Sequence, residues 1–318
     1  MKIINDNKPI NKKNYLVATI GYFDGIHYGH KKILNTIVKD AKKNNGQSMV
    51  ITFWPHPRII LGKNDNVQLL STLKEKETIL KNIGIDILYL INFTKEFSKI
   101  KALDFITNLL EKKLKIDKLV IGYNHSFGKK REGNFNFLNK NKKHYNFNIQ
   151  EISKQQINKK LEISSSIIRK KLEQGDVKKA SIMLGHSYYL HGKVIKGDGI
   201  GSTIDYPTAN INIKKSKKII PKDGVYTIQV IIKNKTYYGM LNIGYRPTVN
   251  GKNRRFEVHI FDFKSNIYDE KIKIKFLEKI RDEKKFKNLH LLKEQLIKDK
   301  ITSIKIIKKK WKNQRLNF

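Results

Sequence analysis

The sequence predicts an α/β unit followed by an all-β barrel with a C-terminal helix, and three observations carry that prediction. Strand-like apolar runs alternate with helical stripes through the first half of the chain. From about residue 188 consecutive strand-like runs replace them, parted by turn residues. A helical stripe returns only at about Asn288–Lys298, in Leu289, Leu292 and Leu296. Strand–helix alternation with short connections implies a parallel sheet wrapped by helices, and successive short strands imply a small closed barrel.

In the first half, Tyr15-Leu-Val-Ala-Thr-Ile20 reads as a buried strand. A glycine-punctuated turn follows it, and then Ile33, Leu34, Ile37, Val38 and Ala41 recur at helical spacing. Ser48–Phe53 is a second strand, closed by Pro55 and Pro57, and Leu73–Ile83 is helical with Gly84 as its C-cap. Strands follow at Asp86–Ile91, Lys118–Ile121 and Phe147–Ile152, with a helix from about Ala102 to Leu114 between the first two. In the second half, strands are expected at Val225–Ile232, Thr236–Ile243, Phe256–Phe263 and Lys271–Phe276, with a hairpin turn at Asn234-Lys235. The join falls near Gly185, giving domains of 1–184 and 185–318.

The 318 residues suit two domains, and 39% hydrophobic residues suffice for a core in each. No cysteine is present, which excludes disulfides, thiolate nucleophiles and Cys-based zinc sites. The apolar runs are too short to cross a bilayer, and the start, Met1-Lys-Ile-Ile-Asn-Asp-Asn7, lacks the apolar region of a secretory leader. A soluble cytoplasmic protein is expected. Lys and Arg number 66 against 28 Asp and Glu, a formal charge of +38. Lysine is scattered widely but missing from the ten-residue blocks starting at 21, 51, 201 and 241, which carry the motifs below, and also from block 181, which does not. That scatter fits compositional drift better than a nucleic-acid stripe.

The segment Gly21-Tyr-Phe-Asp-Gly-Ile-His-Tyr-Gly-His30 joins the first strand to the first helix. Gly21, Gly25 and Gly29 let backbone approach a ligand. His27 and His30 sit three residues apart at a helix start, where free N–H groups and the dipole favour phosphate. Zinc is the competing reading, but a third ligand at a usual spacing is not evident. In the second half, Gly197, Gly199 and Gly201 make a loop able to fold over phosphates before Tyr206-Pro-Thr-Ala-Asn-Ile211. Thr208 and Asn210 share one face of an extended segment, where their uncharged oxygens suit a Mg²⁺ that also takes phosphate oxygens. Glu257 lies in an otherwise apolar strand, as a solvated residue or as a general base; the residues alone leave both open.

These motifs resemble bacterial bifunctional riboflavin kinase/FAD synthetases. The histidine turn is similar to the HxGH motif of the adenylyltransferase superfamily, whose domain is Rossmann-like. Thr52-Phe-Trp-Pro-His-Pro57, Leu70-Ser-Thr72 with Lys76, Gly122-Tyr-Asn-His-Ser-Phe-Gly128 with Arg131 and Gly133, and Ile163-Ser-Ser-Ser-Ile-Ile-Arg169 follow in family order. Pro-Thr-Ala-Asn, Pro221 with Gly224-Val-Tyr226, Asn242–Thr248, Glu257-Val-His259 and Arg281–Phe286 resemble the riboflavin kinase module, a six-stranded barrel.

The resemblance implies that riboflavin is phosphorylated by ATP to FMN, and FMN adenylylated by ATP to FAD and pyrophosphate. It implies that His27 and His30 are catalytic, that Gly21, Phe23, Gly25, Ser164, Ser165 and Arg169 serve ATP, and that Asn124 contacts FMN. In the kinase it implies ATP at Gly197 and Gly201, Mg²⁺-ATP at Thr208 and Asn210, Glu257 as base, and Arg281 on the flavin side. Riboflavin, FMN and ATP are the expected partners, with no nucleic acid or membrane, and the oligomeric state is left open. Ser202 and Asp205 stand where the family has arginine and glycine, and Gly185-His-Ser187 replaces Gly-Arg-Pro. The aspartate is expected to bring negative charge towards polyphosphate and slow the kinase. The alternatives are a monofunctional FAD synthetase and a basic RNA- or membrane-associated protein on an enzyme scaffold.

Overall fold

The computed structural model describes residues 1–6, 10, 12, 15–62, 67–153, 163–197, 201, 204–213, 217–245 and 254–315. The chain forms two compact units, Met1–Ser165 and Ser166–Phe318.

The first unit is a six-stranded parallel sheet of β1 (Lys2–Asn5), β2 (Leu16–Ile20), β3 (Gln47–Trp54), β4 (Ile87–Asn92), β5 (Lys118–Gly122) and β6 (Asn148–Ile152), ordered β1-β4-β3-β2-β5-β6. Every residue of β2 is buried, as a central strand covered on both faces requires. Alternation divides its side chains. Val17 packs with Leu34 and Ile37 of α1 (Tyr28–Lys43) and Leu80 of α2 (Leu73–Ile83). Leu16, Ala18 and Ile20 pack on the other side with Phe105, Ile106 and Leu110. The helix carrying those three begins at Ala102–Asp104 and continues as a wider π-helix over Phe105–Lys113. A capping box between Thr72 and Glu75 starts α2, and Gly84 ends it at φ 94°, as its sequence implies. β1 was not expected from sequence; three of its four residues are exposed, so it lacks an apolar signal.

From Ser166 the second unit takes in all but the first residue of α3 (Ser165–Glu173), then α4 (Val177–Leu184) and a closed antiparallel barrel. Its strands are β7 (Tyr189–Ile195), β8 (Ala209–Asn212), β9 (Gly224–Ile232), β10 (Lys235–Tyr245), β11 (Arg254–Ile260) and β12 (Lys271–Arg281), in the circular order β10-β11-β8-β7-β12-β9. Although the rhythm of the sequence changes near Gly185, α3 and α4 group with the barrel: Lys222 N–H donates to Leu172 O, and Lys178 pairs with Glu278 at 2.8 Å. The β9–β10 turn centres on Lys233-Asn234, both at positive φ, one residue before the expected Asn234-Lys235. Strand β11 ends at Ile260 rather than Phe263, because Asp262 turns the chain at φ 53°. Helix α5 (Leu289–Arg315) is far longer than its leucine stripe. Buried Asp299, Ser303 and Ile307 extend that stripe with less apolar residues, and lysine favours helix between them.

Candidate active sites

Strand order in the sheet reverses at β2: β3, β4 and β1 lie on one side, β5 and β6 on the other. In open α/β sheets ligands gather beyond the strand ends at such a reversal. The Gly21–His30 turn leaves the end of β2, and Gly122-Tyr-Asn124 leaves the end of its neighbour β5.

The turn is conformationally costly. Phe23, Gly25 and Ile26 have φ of 51°, 76° and 43°, and a positive φ is a rare state for a β-branched isoleucine. Neighbours hold it there. The buried Asp24 carboxylate accepts N–H bonds from Leu70 at 3.0 Å and Ser71 at 3.1 Å. Gly25 N–H donates to Ser71 Oγ at 3.0 Å, and the Ser165 hydroxyl donates to Asp24 O at 3.1 Å. A Cβ on Gly21 would lie 3.0 Å from the Phe23 ring, so glycine lets that ring fold back over the strand end.

His27 is the N-cap of α1, its Nδ1 accepting from His30 N–H. That bond places the ring proton on Nε2 and leaves it free to donate. The His27 and His30 rings stack with centroids 3.6 Å apart. Burial pushes the His27 pKa down to about 4. Burial also lowers that of His30, reinforced by His27, Lys76 and His125. Both imidazoles are therefore neutral at pH 7 and act through N–H groups rather than full charges.

Beside the turn opens a cavity of about 1030 Å³, lined by Tyr22, Phe53, Phe97, Phe105 and Phe127 together with Asn124 and Arg131. Its aromatic walls suit a flat ring system, and Asn124 supplies polar atoms near the sheet end. His125 also lines it, with a pKa lowered to about 4 by burial and then by Arg131. Nothing in the sequence assigns a role to His125. Ser165 begins α3, and Arg169 lies one helical turn further on.

The second unit has its own cavity of about 620 Å³, lined by Tyr206, Thr208, Asn210, Asn242, Glu257 and Glu283, among others. In β11, Phe256, Val258 and Ile260 are buried, while Glu257 and His259 face the opposite side. Glu257 pairs in register with Asn210 of β8 and Asn242 of β10, which brings the three polar side chains together. A Cβ at Gly197 would stand 1.7 Å from Asn210 Nδ2, and one at Gly201 2.2 Å from Tyr206 O. Glycine at these two positions lets the backbone there approach Asn210 and the Tyr206–Thr208 segment closely. His259 fixes that segment through Pro207 O at 2.8 Å. Burial raises the Glu283 pKa, and Asp223 and Glu257 add to the rise.

Arg281 lines the same cavity, but its fork is engaged by the buried Asp299 of α5 through Nε at 3.0 Å and Nη2 at 2.8 Å. It fastens the C-terminal helix to β12. Asp205 adopts φ 62°, a conformation for which the family's glycine is suited and which aspartate tolerates. Its exposed carboxylate meets Lys293 at 2.7 Å, so its charge is matched outside the cavity, contrary to the expectation that it burdens the phosphate site. Asp198, Gly199, Ser202 and Arg246-Pro-Thr248 lie outside the described residues.

Fold and sites define a two-unit enzyme, with a nucleotidyltransferase-type sheet preceding a kinase-type barrel. The FAD synthetase family model matches residues 10–167 and the riboflavin kinase model residues 184–307. A bifunctional riboflavin kinase/FMN adenylyltransferase from Buchnera aphidicola (Schizaphis graminum) is 38% identical, over 96% of each chain. Its counterpart from Bacillus subtilis is 35% identical, over 91% of this chain and 92% of its own. A crystal structure from Streptococcus pneumoniae titled a macrolide-efflux protein superposes with a TM-score of 0.86 at 31% identity, covering 95% of this chain and 99% of that one. Among the described residues no helix is long and apolar enough to cross a membrane. The chain belongs to the bifunctional riboflavin kinase/FMN adenylyltransferase family. It is an enzyme of flavin-cofactor synthesis with both activities, using ATP to make FMN and FAD.

Proposed function

We propose that residues 1–184 form the FMN adenylyltransferase domain and residues 185–318 the riboflavin kinase domain. What supports two separate sites is that the aromatic cavity beside the histidine turn and the cavity lined by Glu257 each lie within one compact unit.

In the first domain, FMN lies in the aromatic cleft with Asn124 against it. An oxygen of its phosphate attacks the α-phosphorus of ATP, the α–β bridging bond breaks, and pyrophosphate departs without a covalent enzyme intermediate. Gly21, Phe23 and Gly25 shape the turn under the triphosphate. His27 and His30 donate N–H bonds to oxygens that gain charge in the transition state. Ser164 and Ser165 offer hydroxyls to the remaining phosphate oxygens, and Arg169 carries a planar fork suited to phosphate.

In the second domain, Glu257 accepts the proton of the riboflavin 5′-hydroxyl as that oxygen attacks the γ-phosphorus of ATP, and ADP leaves. Gly197 and Gly201 let the loop close over the phosphates, and Arg281 holds the flavin-side segment to α5. Thr208 and Asn210 would hold Mg²⁺ by uncharged oxygens. The donor set fits, since Mg²⁺ at nucleotide sites takes few protein ligands alongside phosphates, and the glycine loop crowds onto Asn210. When bound, the ion neutralises charge on the transferring phosphoryl group. Removing divalent cations with EDTA is expected to stop riboflavin phosphorylation, and Mg²⁺ to restore it; turnover indifferent to chelation would rule this role out.

Asp205→Gly removes an outward-paired charge, so the Michaelis constant for ATP in riboflavin phosphorylation should change by no more than about twofold, the scale of an exposed substitution. A larger fall would show that the carboxylate reaches the phosphates. Both reactions belong to the cytoplasm, with riboflavin, FMN and ATP as partners and neither nucleic acid nor membrane. What supports this is the scatter of lysine away from the motif segments.

A further inference from the structure

Lysine is almost never fully buried unless paired, yet Lys76 of α2 has no exposed surface. It lies one turn before Leu80 on the inward stripe of the helix, where a leucine or methionine would serve packing alone. Its ammonium donates to Tyr22 O at 2.6 Å and lies 3.4 Å from Thr52 Oγ1 and 4.0 Å above the Tyr22 ring. No carboxylate among the described residues forms an ion pair with it. The nearest acid influence is Asp24, whose oxygens accept the Leu70 and Ser71 N–H bonds. Glu75, beside it in sequence, is occupied by the capping box.

Tyr22 stands between Gly21 and Phe23, the first residue of the positive-φ turn. Backbone held in such sparsely populated states persists only where its surroundings over-determine it. Lys76 provides one of those constraints from outside the turn. Burial and then His27 lower the His30 pKa, and the Lys76 charge adds to that fall.

We propose that Lys76 is a positioning residue for adenylyl transfer: it clamps the phosphate turn through the Tyr22 carbonyl and keeps an unneutralised positive charge beside the histidine pair. The inference rests on the reading of that turn as the adenylyl-transfer site. The histidines supply directed N–H donors without net charge, and Lys76 supplies the cation. In a buried site such a charge acts on polyphosphate far more strongly than an exposed lysine would.

The test uses the full-length protein with Lys76→Met, which keeps length and volume, and Lys76→Gln, which keeps a hydrogen-bond donor but no charge. FAD formation from FMN and ATP is measured between pH 6 and 9.5. Because misplacement by about 1 Å can cost on the order of 100-fold in rate, Lys76→Met is expected to lower kcat by about 10- to 100-fold. The Michaelis constants for FMN and ATP should stay within about threefold, which also shows the cavity intact.

Burial brings the Lys76 pKa down to about 8, with Asp24 opposing the fall. Of the groups facing it, Tyr22, Thr52, Asp24 and His30, none is a second cation. The cation is present below that pH and lost above it, so wild-type turnover should decline through pH 8. That decline should be missing from the residual activity of both variants. If Met disturbs the core, judged by loss of both Michaelis constants, Gln carries the test. Either variant with intact binding, kcat within twofold of wild type and an unchanged alkaline limb would overturn the proposal. His27→Ala in the same assay separates the two failures. If it too is fully active, the reading of the turn falls; if it alone is impaired, only the role of Lys76 falls.

Discussion

FAD formation from FMN and ATP is expected to fall by about 100-fold or more in His27→Ala or His30→Ala, the scale for losing one preorganised transition-state donor. The two rings stack at the N-terminus of α1, and the bond into His27 Nδ1 leaves its Nε2–H free. His27→Ala also removes the cap of α1, at a cost of about 1 kcal/mol, too little to unfold the unit. Riboflavin phosphorylation should persist in both variants, since its cavity lies wholly in the other unit. With the His27 pKa near 4, the imidazole contribution should be constant through pH 6.5. A wild-type rate that drops as pH falls through 6.5, and loses that limb in His27→Ala, would mean that the histidine works as a titrating base instead.

Glu257→Gln is expected to lower riboflavin phosphorylation by about 100- to 10,000-fold, the usual range for a general base. The amide keeps the shape of the side chain and its place opposite Asn210 and Asn242, so ATP binding should change little. Conversion of supplied FMN to FAD should be untouched. Glu283 shares the cavity with a raised pKa. An unimpaired Glu257→Gln kinase would therefore move the proton to that neighbour or to solvent.

Both halves of the fold were legible because their periodicities differ. Fully buried parallel strands read as continuous apolar runs between helical stripes, and the barrel strands as alternating runs between turns. Edge strand β1 escaped notice because pairing with β4, rather than burial, defines it. The long α5 escaped because its inward stripe passes into Asp299 and Ser303, which are buried by polar partners: Arg281 for the first, and Thr227 at 3.1 Å for the second. The His27–His30 pair was legible, since its geometry is local to one turn of backbone. Lys76 and His125 stand within motifs that match the family, but their roles were not legible, because nothing in their own segments signals that distant parts of the chain bury them at the sheet end. The engagement of Arg281 by Asp299 is likewise a contact between two elements, made by residues 18 apart in sequence. Asp205 was read as a liability because its partner, Lys293, is 88 residues away.

Two independent sites on one chain are expected to act in series. The most direct test is a time course of the pure protein with riboflavin, ATP and Mg²⁺, resolving riboflavin, FMN and FAD, run beside His27→Ala and Glu257→Gln. Wild type should form FMN and then FAD. His27→Ala should stop at FMN, and Glu257→Gln should leave riboflavin unconverted yet make FAD from added FMN. Loss of both steps in either variant, with its fold intact, would contradict the account.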